Sequence, residues 1–516
     1  MKNSDRQHFG IINSNAVTQK NLDLTFKSKS IFQASDSNAE NIMELPQPQP
    51  KKTELNARLD RLLKLQPEPH HPPQPRIQEI PRFLLYKNPS LKKYRSPQMI
   101  SFGPIHYHEF LSSLGQQLKT TWARWYVDIL RTKNQEQYEN ANDRIVSLYE
   151  TITRKIPELK NLFSNDIIQQ YNNNDGQLAD MLFVDGCALL FFMDAVDERH
   201  PEKVGLGKLD QLTYIWRDAI LLENQLPIQL LELLSYDKKS QLYNSFYNFL
   251  FMGLPRRNRE DSIFTWSDES KPAHLLDYIR LFYTSSPPEV RPSLLDPCIG
   301  FCTRLFKKEK TLPLTERDTW HRYKNIRDLR NVGIQVKANT SEWKWSNISF
   351  TSNLFSGQLM LPGIVVDDVT PSLYYNMIAY EMLPDSQNSF QCCSYFFLMD
   401  SLIDDAEDVK ELRLAGVFQN FLGSDEEVAK LFNQLGGLLP AKMFNCTTRT
   451  GALAYNDKYI EIKQQIDKHY RNRWKTWRAQ LHTTYFNNPW SIIAFLAAVL
   501  ALVLTSLQTW YTIHPK

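Results

Sequence analysis

The stretch that decides the fold is FLSSLGQQLKTTWARWYVDIL, residues 110–130. Its large apolar side chains recur at steps of three and four residues, which is the spacing of one face of an α-helix. Residues 145–156 repeat this spacing, and residues 180–195 are rich enough in leucine, phenylalanine and methionine to indicate a buried helix. Because helical spacing continues over most of residues 79–480, we predict one large, mainly α-helical body there.

One stretch inside the body departs from the helical pattern. Residues 333–337, 342–351 and 358–366 alternate apolar and polar side chains, and polar turn residues separate them. Alternation of this kind is typical of strands with one buried face. We therefore predict a small antiparallel sheet of two or three strands over residues 333–366.

The C-terminal region carries a long apolar run. Residues 491–509 contain no charged side chain. At ~1.5 Å per residue they span roughly 28 Å, about the thickness of the hydrocarbon core of a bilayer. Trp490 on one side and Trp510 and Tyr511 on the other are residue types that anchor a helix at membrane interfaces. We predict a transmembrane helix, because a core helix would have to be buried on every face.

The N-terminal region is polar and rich in proline, and it lacks the apolar stretch of a secretory signal. Such a composition cannot bury enough apolar surface to offset the entropy lost on ordering, so we predict a disordered arm. The predicted organisation is an arm at 1–78, a helical body at 79–480, a juxtamembrane segment at 481–490, a transmembrane helix at 491–510 and a short tail at 511–516.

Basic residues are unevenly distributed about the apolar run. Six lysines and arginines precede it between residues 463 and 478, whereas only His514 and Lys516 follow it. Because positive charge is retained on the cytosolic side, we predict a tail-anchored, single-pass membrane protein with most of the chain in the cytosol. The pattern does not distinguish the plasma membrane from endomembranes.

The composition excludes several classes of protein. Apolar residues make up 42% and charged residues 23% of the 516 residues, which is ordinary for a globular chain and unlike a fibre or a fully disordered protein. The formal net charge is only +3, so no overall positive field attracts nucleic acid, and we predict no nucleic-acid partner. Six cysteines in so long a chain do not indicate a disulfide framework.

The sequence contains no established catalytic or metal-binding motif. It lacks a Walker phosphate loop, Gly-x-Ser-x-Gly, His-Glu-x-x-His, a pair of Cys-x-x-Cys motifs and the protein-kinase set. Cys298 and Cys302 could share a helical face, but two thiols without further ligands favour core cysteines over a metal site. We therefore predict no catalytic residue, metal or cofactor, and we identify no small-molecule substrate.

Polar side chains stand among apolar neighbours at five positions: Asp185, Asp218, Glu223, Asn224 and Gln225. A buried carboxylate or amide needs hydrogen-bonding partners, because an orphaned group costs about 1–3 kcal/mol. One interpretation of these residues is a catalytic carboxylate site. The other, which we favour, is a structural network that satisfies backbone groups around Pro227 and holds the bend of the chain there.

A turn motif lies just before the helix predicted at 110–130. It consists of Gly103 and Pro104, which are typical turn residues, followed by His106. His106 and His108 would lie on the same side of an extended segment and could form a ligand pair. A turn histidine bonded to the backbone is the interpretation that we favour.

Taken in order, these stretches resemble the motifs of a plant family, the domain of unknown function 247. The similar segments are Ser-Phe-Gly-Pro-Ile-His at 101–106, Asp-Gly-Cys at 185–187, Leu-Leu-Glu-Asn-Gln-Leu-Pro at 221–227, His-Leu-Leu-Asp at 274–277, Leu-Arg-Asn-Val-Gly-Ile at 329–334, Asn-Met-Ile-Ala-Tyr-Glu at 376–381 and Asn-Pro-Trp at 488–490. The resemblance covers residues 80–510. Phe102 and Val332 depart from the usual residues of the family.

The resemblance implies a plant-restricted, membrane-anchored protein of a largely uncharacterised family. It also implies links to self-incompatibility, in which some grass members are implicated, and to growth or stress responses, and it supplies no catalytic residues. Our first hypothesis is a non-enzymatic protein that acts in recognition or signalling through protein partners. The alternative is an uncharacterised enzyme, which requires at least two of His106, Asp185, Asp218 and Glu223 to converge on one pocket.

Overall fold

A computed structural model of the protein describes most of the chain from Ile77 to His514. The described ranges are 77–87, 89–110, 113–132, 141–171, 173–197, 209–235, 239–250, 271–285, 325–339, 344–353, 356–383, 390–439, 456–471 and 489–514. The proposed N-terminal arm lies outside these ranges up to residue 76. Cys298, Cys302 and residues 481–488 of the juxtamembrane segment also lie outside them.

Helices form the first half of the described body. They are α1 (Arg82–Lys87), α2 (Tyr107–Phe110), α3 (Leu114–Thr132), α4 (Ala141–Lys160), α5 (Asn165–Ile168), α6 (Asp175–Asp197), α7 (Leu209–Ala219), α8 (Ile228–Leu234), α9 (Lys239–Leu250) and α10 (Leu275–Thr284), with 3-10 turns at Pro89–Tyr94, Gln169–Tyr171 and Leu222–Asn224. Helix α6 lies at the centre of this half and packs against α3, α4, α8 and α9. Most of its own side chains between Leu178 and Ala195 are buried, as the apolar density at 180–195 predicted.

Helices and short strands alternate in the second half. They are α11 (Ile326–Asn331), β1 (Ile334–Asn339), β2 (Ser349–Ser352), β3 (Gly357–Pro362), β4 (Ile364–Val366), α12 (Thr370–Glu381), α13 (Gln391–Asp400), α14 (Ala406–Leu414), β5 (Phe418–Asn420), α15 (Asp425–Leu438) and α16 (Asp457–Tyr470). Trp345 joins the two halves, because its ring stacks on Tyr283 of α10 at 4.7 Å and on Tyr395 of α13 at 4.6 Å between centroids.

The small sheet has the strand order β1-β3-β2 and mixed strand directions. Strands β2 and β3 are antiparallel, as predicted, but β1 and β3 are parallel, with Ile334 opposite Gly357. The short link between β2 and β3 forces those two strands to reverse direction. Strand β1 pairs with the other edge of β3, opposite β2, and runs in the same direction as β3. A second pair, β4 and β5, is also parallel.

The C-terminal helix α17 (Pro489–Ile513) is apolar, and its side chains from Ile493 onward are exposed. Its segment Ile493–Ile513 has a mean hydropathy of 2.0 and none of it is buried against the rest of the described chain. By length and composition this segment could cross a membrane. Trp490, Trp510 and Tyr511 are all exposed at its two ends. The predicted fold class, a mainly helical body with a small sheet and one apolar C-terminal helix, is confirmed.

Candidate functional site

The segment from Ile77 to His106, which we call the strap, lies against the helices of the first half. Its start is fixed by the backbone: Ile77 N donates to the carbonyl of Leu162 at 2.8 Å, and Ser164 N donates to the carbonyl of Ile77 at 3.0 Å. Apolar side chains of the strap are buried in the core: Ile80, Leu84, Ile100 and Phe102. Because much of the strap is irregular, its buried amides need partners outside it.

Asp218, near the end of α7, accepts hydrogen bonds from three consecutive strap amides. Its carboxylate oxygens lie 2.9 Å from Gln98 N, 2.6 Å from Met99 N and 3.0 Å from Ile100 N. The guanidinium of Arg217 adds a fourth donor at 2.8 Å. The Asp218 side chain is fully buried. Its carboxylate is therefore fully engaged in holding the strap.

Asn224 and Asp185 bind the backbone amides of Phe102 and Gly103 in the strap. Asn224 Oδ1 accepts from Phe102 N at 2.7 Å, while its Nδ2 donates to the carbonyls of Ile100 at 3.1 Å and Asp218 at 2.8 Å. Asp185 Oδ2 accepts from Gly103 N at 2.8 Å. Side chains from α6, α7 and the Leu222–Asn224 turn thus hold almost every amide between residues 98 and 103.

A buried lysine completes the site around Asp185. Lys119 Nζ on α3 lies 2.7 Å from Asp185 Oδ1 and donates to the carbonyl of Ser101 at 2.7 Å. Both members of this ion pair are about 1% exposed. Burial raises the pKa of Asp185, and the Lys119 ammonium acts in the opposite direction. The pair therefore joins α3, α6 and the strap at one point.

Glu223 holds the beginning and the end of the strap together. Its Oε1 accepts from Ile80 N at 2.7 Å and from Arg95 Nε at 2.7 Å. Its Oε2 lies 3.0 Å from Nε2 of His106. Arg95 also pairs with the partly exposed Glu79 at 2.8 Å. Glu223 itself is fully buried, so its charge is compensated within the protein.

Gly103 has a backbone conformation that explains its residue type. Its φ is +72°, and a Cβ atom there would lie 2.9 Å from the carbonyl oxygen of Gln225. Pro104 follows as a buried residue. Gln225 donates to the carbonyls of Ala219 and Leu221 at 2.8 and 2.7 Å, and accepts from Leu276 N at 3.0 Å. The turn therefore lies directly on the bend before Pro227.

Three further motif residues, His274, Asp277 and Glu381, form a second buried polar cluster with Arg280. His274 caps α10 by accepting from Asp277 N at 3.2 Å, and burial lowers the pKa of His274 to about 4. Arg280 pairs with Asp277 at 2.8 Å and lies 3.6 Å from Glu381. Glu381 accepts from the amides that begin α13, Cys392 N at 3.0 Å and Cys393 N at 2.9 Å. This cluster joins α10, α12 and α13.

The contacts of the predicted polar residues differ from our expectation in two respects. Gln225 and the amide nitrogen of Asn224 bind carbonyls of residues before Pro227. Asp218, Glu223 and Asn224 Oδ1 instead bind the strap, more than a hundred residues earlier in the chain. His106 is bonded to carboxylates rather than to the backbone.

Sequence reasoning missed three cations of this site, Lys119, Arg95 and Arg217. Lys119 had a signal, since it lies three positions before the buried Trp122 and seven before the buried Tyr126, on the apolar face of α3. A lysine on such a face implies a buried acidic partner. Arg95 lies in a polar stretch of the sequence and carried no comparable signal.

Most polar atoms of these side chains already have a bonding partner within the protein. His106 and Glu223 do meet, but Asp185 and Asp218 hold separate parts of the strap. An open cleft of about 570 Å³ lies elsewhere in the described part of the chain, between α15 and the turn before α14. Among the residues that the structure describes, no group of three histidine, cysteine or acidic side chains could hold a metal ion.

The fold and its polar network define a mainly helical protein with one C-terminal helix that could span a membrane. The family model for the domain of unknown function 247, described as a plant protein of unknown function, matches residues 77–504. The chain therefore belongs to this plant family. The matched region begins at the first residue of the strap and ends within α17.

Two curated relatives come from Arabidopsis thaliana. The putative UPF0481 protein At3g02645 is 34% identical over 184 residues, which is 36% of this chain and 32% of the relative. The chain thus aligns with about a third of that relative's length. UPF0481 protein At3g47200 is 24% identical over 446 residues, 84% of this chain and 85% of the relative. No solved structure matches the chain.

Proposed function

We propose that the protein is a non-enzymatic, tail-anchored membrane protein that acts in recognition or signalling through protein partners on the cytosolic face of a membrane. Helix α17 supports the anchoring, because Ile493–Ile513 is apolar and unburied. The excess of basic residues before this helix supports the cytosolic placement of the body. The near-neutral net charge gives no support to a nucleic-acid partner.

The observation that carries the non-enzymatic proposal is the engagement of the buried carboxylates. Asp185, Asp218 and Glu223 each accept hydrogen bonds from strap amides at 2.6–3.0 Å. A general acid or base must instead have an oxygen or nitrogen within reach of a bound substrate. The arrangement is that of a scaffold whose outer surface is available for protein contacts.

Proximity labelling tests the proposed partner binding. A biotin ligase fused to the N-terminus of the full chain should label a reproducible set of membrane-associated proteins in plant cells. The matched control is the same fusion with residues 489–514 deleted, which should lose that set. Identical labelling by the two fusions, or labelling no greater than that by free ligase, would contradict the proposal.

The orientation has a separate test. Protease added to sealed microsomes should digest an N-terminal tag and leave a C-terminal tag protected. The sequons that begin at Asn339, Asn347 and Asn445 should carry no glycan. Glycan at any of these asparagines would place the body on the opposite side of the membrane.

The alternative function, an enzyme with a histidine–carboxylate site, has one observation in its favour. His106 and Glu223 lie 3.0 Å apart and both are buried. Glu223→Gln distinguishes the two proposed functions. Glu223 accepts hydrogen bonds from Ile80 N and Arg95 Nε, and the NH2 group of a glutamine could not accept them. The scaffold proposal expects reduced thermal stability. The enzyme alternative expects loss of function even at temperatures at which the variant is still fully folded.

A further inference from the structure

The outer surface of the strap carries positive charge only. Residues 80–106 contain five lysines and arginines and no acidic residue. Arg95 is engaged with the carboxylates of the site, whereas Arg82, Lys92 and Lys93 are exposed. The strap therefore uses one of its cations to hold itself in place and presents others to solvent.

Two aromatic side chains project from the same part of the strap. Helix α1 buries Leu84 and Leu85 in the core, while Phe83 is 59% and Tyr86 is 77% exposed. These two aromatic residues are three positions apart, so they are neighbours on the helix surface. Exposed apolar side chains that are scattered singly are ordinary, whereas an adjacent pair beside cations indicates a contact surface. We call this surface the basic-aromatic face, which consists of Arg82, Phe83, Tyr86, Lys92 and Lys93.

A bilayer with anionic headgroups has the chemistry that matches this face. Lysine and arginine are attracted to anionic lipids, and aromatic side chains enter the boundary between headgroups and acyl chains. The N-terminal arm is a poorer match, because residues 1–76 themselves contain more lysines and arginines than acidic residues. A second copy of the strap would likewise bring like charges together.

We propose that the basic-aromatic face of the strap binds the anionic surface of the membrane that α17 is proposed to span. This inference rests on the anchoring and the cytosolic placement proposed above, since the cytoplasmic leaflet carries the anionic lipids. Residues 471–488 separate the end of α16 from the start of α17, and an extended chain of this length reaches about 60 Å. A connection of that length can bring different faces of the body to the bilayer, so the surface chemistry selects the face.

Photo-crosslinking of the full chain in lipid nanodiscs tests this contact. The chain carries Tyr86→p-benzoylphenylalanine, and mass spectrometry measures lipid adducts on residues 82–95 in discs of phosphatidylcholine with and without phosphatidylserine. Adducts should be at least about five-fold more abundant in the anionic discs, which is the effect of one lysine or arginine near an anionic surface. Co-elution of the chain with the discs reports the anchoring separately, so failure of the anchor is distinguishable from failure of the contact.

Two matched double variants test the role of charge. Lys92→Gln combined with Lys93→Gln should lower the adducts in anionic discs several-fold. Arg154→Gln combined with Lys155→Gln removes the same charge from an adjacent pair of cations on α4 and should leave the adducts unchanged. Equal effects of the two double variants would overturn the proposal.

A probe at another exposed aromatic residue tests whether this face is selected. Phe421 is 68% exposed and precedes the acidic residues 425–427, so Phe421→p-benzoylphenylalanine should give few lipid adducts. Equal adducts at the two probe positions, or equal adducts at Tyr86 in neutral and anionic discs, would contradict the membrane contact. Protein adducts at Tyr86 in plant microsomes, without lipid adducts in anionic discs, would assign the face to a protein partner instead and would also overturn the proposal.

Discussion

Replacement of Asn224 by leucine should destabilise the body measurably. Its amide makes three buried hydrogen bonds, one from Phe102 N and two to the carbonyls of Ile100 and Asp218. At about 0.5–1.5 kcal/mol for each bond, and with the Phe102 amide left buried, the loss should be about 2–5 kcal/mol. Leucine has a similar volume, so the loss of hydrogen bonds rather than packing dominates.

The expected shift in melting temperature follows from the size of the body. Unfolding entropy of ~2.1 cal/mol/K per residue gives about 1.2 °C per kcal/mol for roughly 400 residues, so Asn224→Leu should lower the melting temperature by about 2–6 °C. Circular dichroism of the full chain in detergent provides the measurement. Asn433→Leu is the control, because Asn433 is exposed on α15 and makes one bond to a carbonyl. An Asn224→Leu curve that coincides with the wild type would refute the structural role of this residue.

Three other substitutions probe separate features of the body, two in the site and one at Asp400, the last residue of α13. Lys119→Met should cost about 3–5 kcal/mol in urea denaturation, because it leaves the buried Asp185 carboxylate without its cation; a loss below 1 kcal/mol would contradict the buried pair. Gly103→Ala should lower stability, since φ is +72° and the new Cβ would meet a carbonyl oxygen, whereas Gly176→Ala on α6, where the space is open, should not. Asp400 has its pKa raised by burial from 3.8 to about 6, so its contribution to stability is present below pH 4 and is lost as pH rises through 6. Asp400→Asn should therefore show a smaller fall in unfolding free energy between pH 4.5 and 7 than the wild type, and an unchanged fall would disprove the assignment.

The sequence predicted the helices well because the apolar spacing that indicates a helix is a property of a short stretch of sequence. Most of the apolar face at 110–130 lies on α3, which begins at Leu114, and the apolar density at 180–195 is the buried part of α6. Periodicity reports which side of a helix is buried, and it does so without information on the partner. The polar residues were recognisable for the same reason, since Asp185 and Glu223 interrupt apolar stretches.

The partners of those residues could not be predicted, because they are set by tertiary packing. Glu223 bonds to Ile80, and nothing in the periodicity of either segment links the two. The direction of β1 was missed for a related reason. Alternation predicts that a strand has one buried face but says nothing about which edge of β3 it joins.

The strap also has a consequence for the order of folding events. Its amides bond to acceptors that lie 82–143 positions later in the chain, so these contacts close very large loops. Long-range closures of this kind form slowly, after the local helices that present the acceptors. During synthesis the strap leaves the ribosome before α7 and the Leu222–Asn224 turn exist, so the core that buries Ile80, Leu84 and Ile100 is still incomplete. The apolar side chains of the strap therefore stay incompletely buried while more than a hundred further residues are translated. This is the interval in which a chaperone would bind the nascent chain.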